Sequence, residues 1–342
     1  MSSLGGAAAG PVAGEVPVAG VVVACDVGGT GIKAGLVDVA GQVHHPRTVP
    51  TPVVDGDGDA TAKAVLDQVA GLVDELAALA AGAGGWGRPA GIGMVVPGLV
   101  DAAAGVARYA ENLGWRDVPF GARLGEITGL PVAFDHDVRA AGAAEQQLGA
   151  GRGHRDVAFV PIGTGIAAAL VLDGRPYAGG GWAGEIGHID VGSGLPCPCG
   201  SRGCLETVAS AAAIARRYTE RSGRAVGGAL EVAARLGTDT DDGDVGGDAD
   251  ARAVWDEAVD ALAFVLAVTA AVAAPELIIV GGGLSGAGEV LLEPLRRGVA
   301  ARVTPPQRHP KLVRAVLGEQ AGLLGAALLA WRQAGVSMQG PG

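Results

Sequence analysis

Three of the four cysteines fall close together as Cys197, Cys199 and Cys204 in CPCGSRGC, and His188 precedes the first of them by nine residues. Three thiolates and one imidazole make a closed tetrahedral donor set over loop 188–204. That is the arrangement of a structural Zn2+ site, since a catalytic zinc keeps one position open. Free thiols, or a disulfide with one cysteine left over, are the alternatives; clustered cysteines without an export signal favour metal. Two carboxylates are interleaved with these ligands, Glu185 three residues before His188 and Glu206 two after Cys204. A metal-bound imidazole has a second nitrogen to donate. If its partner is a substrate hydroxyl, and the carboxylates accept from further hydroxyls, this loop forms one wall of a polyol pocket.

A second kind of chemistry is spelled by glycine turns. In DVGGTGIK, Gly28 and Gly29 free the backbone amides to point at a polyanion, Thr30 adds a hydroxyl and Lys33 a charge. Asp26, at the end of the preceding apolar run, is suited to a water of hydrated Mg2+. The pattern is neither a P-loop nor GxGxxG, and an ordinary tight hairpin is the alternative. Gly163, Thr164 and Gly165 repeat the turn after a second apolar run, and Gly281, Gly282 and Gly283 follow a third. Two turns for phosphates and one where bulky side chains would collide with adenosine point jointly to a nucleotide cleft.

Phosphoryl transfer to an alcohol needs a carboxylate within hydrogen-bond reach of the attacking hydroxyl, held at the end of a rigid element. Asp135-His136-Asp137 stands where an apolar strand gives way to a helix, and Asp137 is the residue chosen as base. Capping that helix is the alternative role for Asp137. Glu145, further along, reads as structural. Asn112 in AENLGW and Asp101 in PGLVD lie in loops after strands, to face a sugar or to make a turn.

Several elements must position these groups. Apolar runs at 21–26, 34–39 and about 42–49 read as strands, 61–81 carries apolar residues at helical spacing, and 91–98 is a buried strand closing on a turn. Residues 155–175 repeat the strand, Gly-Thr turn, strand theme, so the α/β chain contains a weak internal duplication: two related units facing a cleft. Helical segments follow around 206–237. The acidic stretch 237–250 reads as a solvated loop rather than a calcium site. A long helix ends before Pro275, and a final amphipathic helix, 319–333, is able to return to the first unit.

At 342 residues the chain suggests two domains. The division expected is 20–136 plus 319–335 for the first and 137–318 for the second, with 1–19 a flexible leader. A net charge of −11 argues against nucleic acid as a partner. The leader lacks Lys and Arg, so it is not a signal peptide, and the apolar run 261–274 is too short for a membrane span. A cytoplasmic location, reducing and compatible with metal-bound thiols, is expected.

In their order along the chain, DVGGTGIK, PGLVD, ENLGW, the Asp-to-Glu helix start at 137–145, GTGI, GEIGH, CPCGSRGCLE and IIVGGGLS resemble the ROK family of sugar kinases and regulators, particularly its bacterial glucokinases. The likeness runs from about residue 21 to 333. It implies an actin-like (ribonuclease H-like) two-domain ATPase fold with an interdomain cleft, ATP with Mg2+ as donor, and transfer of the γ-phosphoryl group to a hexose 6-hydroxyl. By position it makes Asp137 the general base, sets Asn112, Glu185, His188 and Glu206 on the sugar, and gives His188 and the three cysteines to zinc. Homodimers or homotetramers are implied as well. His136 and Arg139 stand where most family kinases carry Asn, so His136 replaces an amide that contacts the sugar and bears on which hexose is taken. GTGIAAAL is also lighter in glycine than is usual after the second turn. Glucose is the expected acceptor, with N-acetylmannosamine, fructose or allose as alternatives. The family's polyphosphate enzymes tend to lack the cysteine cluster. Its regulators carry a helix-turn-helix domain ahead of the first strand, where this sequence has about twenty residues rich in Gly, Ala and Pro.

Overall fold

The protein is described here from a computed structural model, which covers residues 20–82, 85–237, 247–305 and 307–339. The leader 1–19 and most of the acidic stretch, 238–246, lie outside the described residues.

The first unit opens with three antiparallel strands, β1 (Val21–Val27), β2 (Gly31–Asp38) and β3 (Val43–Pro50). Helix α1 (Gly58–Ala81) follows, its first turn capped by the Asp57 carboxylate, which accepts from Ala60 N–H at 2.8 Å. Val65, Val69, Leu72, Val73 and Leu76 recur along one face of α1 at helical spacing and are buried. Next come β4 (Ile92–Val96) and a small three-stranded sheet of β5 (Leu99–Asp101), β6 (Val106–Tyr109) and β7 (Arg116–Val118). Helix α2 (Phe120–Thr128) leads to β8 (Val132–His136). The first main sheet has the order β3-β2-β1-β4-β8, with β4 parallel to both β1 and β8.

Helix α3 (Asp137–Leu148) crosses to the second unit, which opens with β9 (Val157–Pro161), β10 (Ala169–Leu172) and β11 (Arg175–Tyr177). Short helix α4 (Glu206–Ala209) starts a helical layer continued by α5 (Ala211–Ser222), α6 (Ala229–Ala234) and the long α7 (Ala249–Ala273). Strand β12 (Leu277–Gly281), helix α8 (Glu289–Ala300) and β13 (Lys311–Arg314) complete it. The second sheet, β11-β10-β9-β12-β13, repeats the first strand for strand: three antiparallel strands, then two parallel ones. This is the internal duplication expected from the two Gly-Thr turns.

The apolar run 261–274 lies within and just beyond α7, where Leu262, Val265 and Leu266 are buried. Among the described residues no helix is long and apolar enough to cross a membrane. The final helix, α9 (Ala321–Gln333), packs on β1, β4 and α3 of the early chain. The crossing is close because Gly325 meets the Ala140 carbonyl, where a Cβ would fall 2.3 Å from its oxygen. Trp331 is buried at the far end and donates its Nε1 proton to the Val37 carbonyl at 3.2 Å. The small sheet β5–β7 and helix α2 were not expected from sequence; their segments are too short to declare a period.

Candidate functional site

The turn between β1 and β2 is set by hydrogen bonds from two directions. Gly28 N–H donates to the Gly31 carbonyl at 2.9 Å, and Thr51 Oγ1 donates to the Gly28 carbonyl at 2.7 Å. Gly29 is needed because Asn112 lies over it: a Cβ there would stand 2.5 Å from the Asn112 Nδ2. Asp26, Gly28, Thr30 and Lys33 line a hollow of about 600 Å3 together with Asp137, Thr48 and Pro50. Lys33 Nζ sits at its rim, 3.1 Å from Glu319 Oε2.

Two carboxylates share this hollow, and their protons reflect it. Burial, and then the charge of Asp137, push Asp26 up to about 7. Burial first, with the Glu185 charge adding to it, also raises Asp137 to about 7, although Val138 N–H donates to its Oδ1 at 2.6 Å. A pair of buried carboxylates with raised proton affinity is a place that a cation or a positively polarised ligand would relieve.

Asp137 is the first residue of α3, and the cap is its neighbour His136, whose Nδ1 accepts from Arg139 N–H at 3.4 Å. His136 Nε2 lies 3.3 Å from Asp137 Oδ1. Burial, and then Arg139, lower the imidazole to about 4, so it is neutral at ordinary pH. With Nδ1 accepting, its proton is on Nε2, facing Asp137. The alternative role for Asp137, capping the helix through its side chain, therefore falls to His136.

On the other side, Gly163, Thr164 and Gly165 form the turn that follows β9. Ile162 N–H donates to the Gly281 carbonyl at 3.0 Å, and Leu284 N–H to the Ile162 carbonyl at 3.1 Å, so the third glycine turn abuts the root of the second. Gly282, at φ +72°, has no room for a side chain against Ile162. Glu206 lies over the second turn: its Oε2 accepts from Ile166 N–H at 3.0 Å and stands 2.5 Å from where a Cβ on Gly165 would be. Thr164 and Glu206 line a separate hollow of about 750 Å3 with Pro196, Pro198, Ser210 and Arg216. The first turn and the second thus open into different hollows.

The stretch 184–206 ties these parts together. Gly184 and Gly187 press against the Ala168 and Ile166 carbonyls, closer than any side chain allows. This lays Glu185 and His188 along the chain between the second turn and β10, with Glu185 within electrostatic reach of His136 and Asp137. A tight hairpin, with Val191 N–H to the Gly203 carbonyl at 2.9 Å and Cys197 N–H to the Ser201 carbonyl at 2.9 Å, returns the chain so that the cysteines meet His188. The four ligand atoms of His188, Cys197, Cys199 and Cys204 lie within 4.8 Å of one another. Cys199 Sγ to Cys204 Sγ is 3.7 Å, and Cys197 Sγ to His188 Nδ1 is 3.8 Å. Tetrahedral zinc requires ligand separations of about 3.8 Å between sulfurs, so the donor set fits such an ion. His188 presents Nδ1 to that centre, while its Nε2 lies 4.0 Å from Glu185 Oε2.

Asp101 makes a turn, accepting from Ala104 N–H at 3.1 Å and pairing with Arg108 at 2.8 Å. Glu145, fully buried, accepts from Val316, Leu317 and Ala150 N–H and so joins the end of α3 to the chain entering α9, a structural role as expected. Asp135 and Arg139 were not singled out together from sequence. They form a buried ion pair directly behind His136 and Asp137, and their i,i+4 spacing was the available signal.

The sequence profile of the ROK family matches residues 22–333. The glucokinase of Halalkalibacterium halodurans is 36% identical, over 91% of this chain and 95% of that protein. An N-acetylmannosamine kinase of Escherichia coli O157:H7 is 31% identical over 90% and 97%. Among solved structures, a ROK family glucokinase from Streptomyces griseus in complex with glucose and AMPPNP is 33% identical and superposes with a TM-score of 0.72, over 92% of this chain and all of that one. The two repeated sheets are those of the actin-like ATPase fold. The chain belongs to the ROK family, and in sequence and fold it sits with that family's sugar kinases.

Proposed function

We propose that this protein is a cytoplasmic, ATP-dependent hexose kinase that phosphorylates the 6-hydroxyl of glucose, with Asp137 as general base. The observation that carries the reading is the position of Asp137. It is a carboxylate of raised proton affinity at a helix start, sharing a hollow with Asp26, Thr30 and Lys33 and within electrostatic reach of Glu185. A base whose proton affinity lies near neutrality is matched to taking a proton from an attacking hydroxyl.

In this reading the turn amides at Gly28 and Gly29, with Thr30 and Lys33, take the charge of the transferring phosphoryl group, while the turns at 163–165 and 281–283 hold the rest of the nucleotide. Asp26 would hold Mg2+ through water, and the ion supplies charge neutralisation at the phosphates. Glu185, Glu206, Asn112 and the His188 Nε2 hold sugar hydroxyls, and closure of the cleft brings the two hollows together and excludes water. The boundary between domains falls at 136/137, with 319–335 returning to the first. Zn2+ on His188, Cys197, Cys199 and Cys204 would be structural: the set is closed, and an ion bound there would keep the thiols ionised and the hairpin stiff. His136 stands where most of the family's kinases carry Asn and turns its Nε2 proton toward Asp137, so N-acetylmannosamine is tested beside glucose. Assembly as a homodimer or homotetramer is expected.

The test is a panel of hexoses assayed with ATP, the parent beside Asp137→Asn. Glucose is expected to give the highest kcat/KM, and the variant to lose about 10^2- to 10^4-fold in turnover with fold and metal content intact. Turnover near the parent rate in Asp137→Asn would remove the base assignment; preference for another hexose would move the substrate only.

A further inference from the structure

We propose that Arg139 and Asp135 are positioning residues for the reaction: their ion pair across the β8–α3 junction fixes the His136 ring with Nε2 turned to Asp137 and sets a permanent cation behind the Asp137 carboxylate. This rests on the reading of Asp137 as base.

The geometry is a closed loop of bonds within five residues at the junction of β8 and α3. A single oxygen, Asp135 Oδ1, accepts from His136 N–H at 2.7 Å, from Arg139 Nε at 2.8 Å and from Arg139 Nη2. Arg139 N–H then donates to His136 Nδ1, and His136 Nε2 reaches Asp137 Oδ1. Residues 135 to 139 are thereby held to one another, and the catalytic carboxylate has one orientation. Both partners are buried, Arg139 at 6% exposure and Asp135 at 9%. A buried ion pair of this kind adds little net stability over packed apolar residues, so specificity of geometry is the better account of its presence.

Arg139 does not touch the substrate hollow. It faces a separate cavity of about 180 Å3 toward α9, lined by Ala140, Ala143, Leu328 and Arg332, whereas Asp137 lines the hollow of the first turn. Its influence on Asp137 is through charge and through His136. Around Asp137 stand Asp26 from β1 and Lys33 from β2 in the same hollow, Glu185 from the metal-loop side, and His136, Arg139 and Asp135 at its own junction. Burial and then Glu185 push its proton affinity up, and Arg139 pulls it down. An arginine holds its charge at every working pH, which a lysine or histidine buried here would not guarantee.

The experiment compares the parent with Arg139→Gln, which removes the cation, keeps a hydrogen-bonding side chain and leaves Asp135, and with Asp135→Asn/Arg139→Gln, which removes both charges of the pair. Measured are kcat, both KM values and the pH dependence of kcat/KM. Arg139→Gln is expected to lose about tenfold in kcat at pH 7, to keep KM for ATP, and to shift the acidic midpoint upward by about one unit, so that much of the loss is recovered at higher pH. The double variant is expected to lose a similar share of kcat with a smaller midpoint shift, because the two charges it removes act on Asp137 in opposite directions. An unshifted midpoint in folded Arg139→Gln overturns the proposal, whether or not kcat falls, because a merely structural role would leave the titration alone. If Arg139→Gln does not fold, a double variant with the parental kcat overturns it, and one with kcat lowered about tenfold at unchanged KM for ATP supports it. Failure of the base assignment itself would appear separately, as full activity in Asp137→Asn.

Discussion

The two Gly-Thr turns are built on the same backbone and carry different side chains. Each joins the first two antiparallel strands of a five-stranded sheet, β1 to β2 in the first unit and β9 to β10 in the second. In the first, the turn is flanked by Asp26 and Lys33; at the corresponding places around the second stand Pro161 and Ala167. The first turn has Asn112 over it, the second Glu206. The chemistry of charge is concentrated in one copy, and the other has kept shape: a turn with room for a backbone approach, propped by a carboxylate from the metal loop. The duplicated sheets thus carry different side chains at their first turns, and those turns open into two separate hollows.

This asymmetry can be broken at its strongest point first. Asp26→Asn is expected to lower turnover by at least about 100-fold, the scale of removing one electrostatic stabiliser from a phosphoryl-transfer site. Pro161→Ala in the second copy is expected to change it less than about threefold on the same scale. Steady-state kinetics with ATP and glucose checks both; comparable losses in the two would mean that the copies are functionally equivalent.

A smaller effect is expected from the metal loop that props the second turn. Cys199→Ser should abolish zinc, measured by elemental analysis of the purified protein, and raise KM for the sugar by about tenfold, because Glu206 lies two residues after Cys204 and loses its anchor. The KM for ATP should hold. Equal metal content and equal stability in parent and variant would show that the four ligands hold no ion.

The smallest effect concerns pH. Asp26 and Asp137 titrate at about 7 in the fold and near 4 when unfolded, so between those values the folded chain holds more protons. Their contribution to stability is complete below pH about 4 and is lost as pH rises through about 7. His136 acts oppositely: depressed to about 4 in the fold, its contribution is present above about 6.5 and lost as pH falls through 4. Between about 4 and 6.5 the one imidazole offsets only one of the two carboxylates, so a net decline worth one proton remains there, and it ends once both carboxylates are ionised above about 7. Thermal melting of the parent should fall over that range by a few degrees relative to Asp26→Asn. Parallel curves would show that Asp26 is not buried as a charge.

Much of this site was legible in the residues themselves. The ligand set could be read because thiols and an imidazole at short spacing have few other uses, and the structure brings all four atoms together. Asp137 was legible as a carboxylate at a strand-to-helix junction, and Glu145 as structural. What the sequence did not reveal was the partnership of each polar group. Asp101 had two readings until its bonds to Ala104 and Arg108 made it a turn residue. Asp137 had the capping role as an alternative until the His136 ring was found in that place. The short strands β5–β7 and helix α2 carry too few residues for a period to show.

By itself, then, the order of residue types along the chain determined the repeated units, the glycine turns, the candidate metal ligands and the family, because those features are local: a strand followed by a glycine turn, or donors within a few residues. Tertiary structure alone decided how the distant parts act on each other. Glu206 reaches a turn about forty positions away, α9 returns to β1 and α3, and Glu185 comes to bear on Asp137. Proton affinity and orientation depend on burial and on neighbours in space, and neither is written in the order of residues.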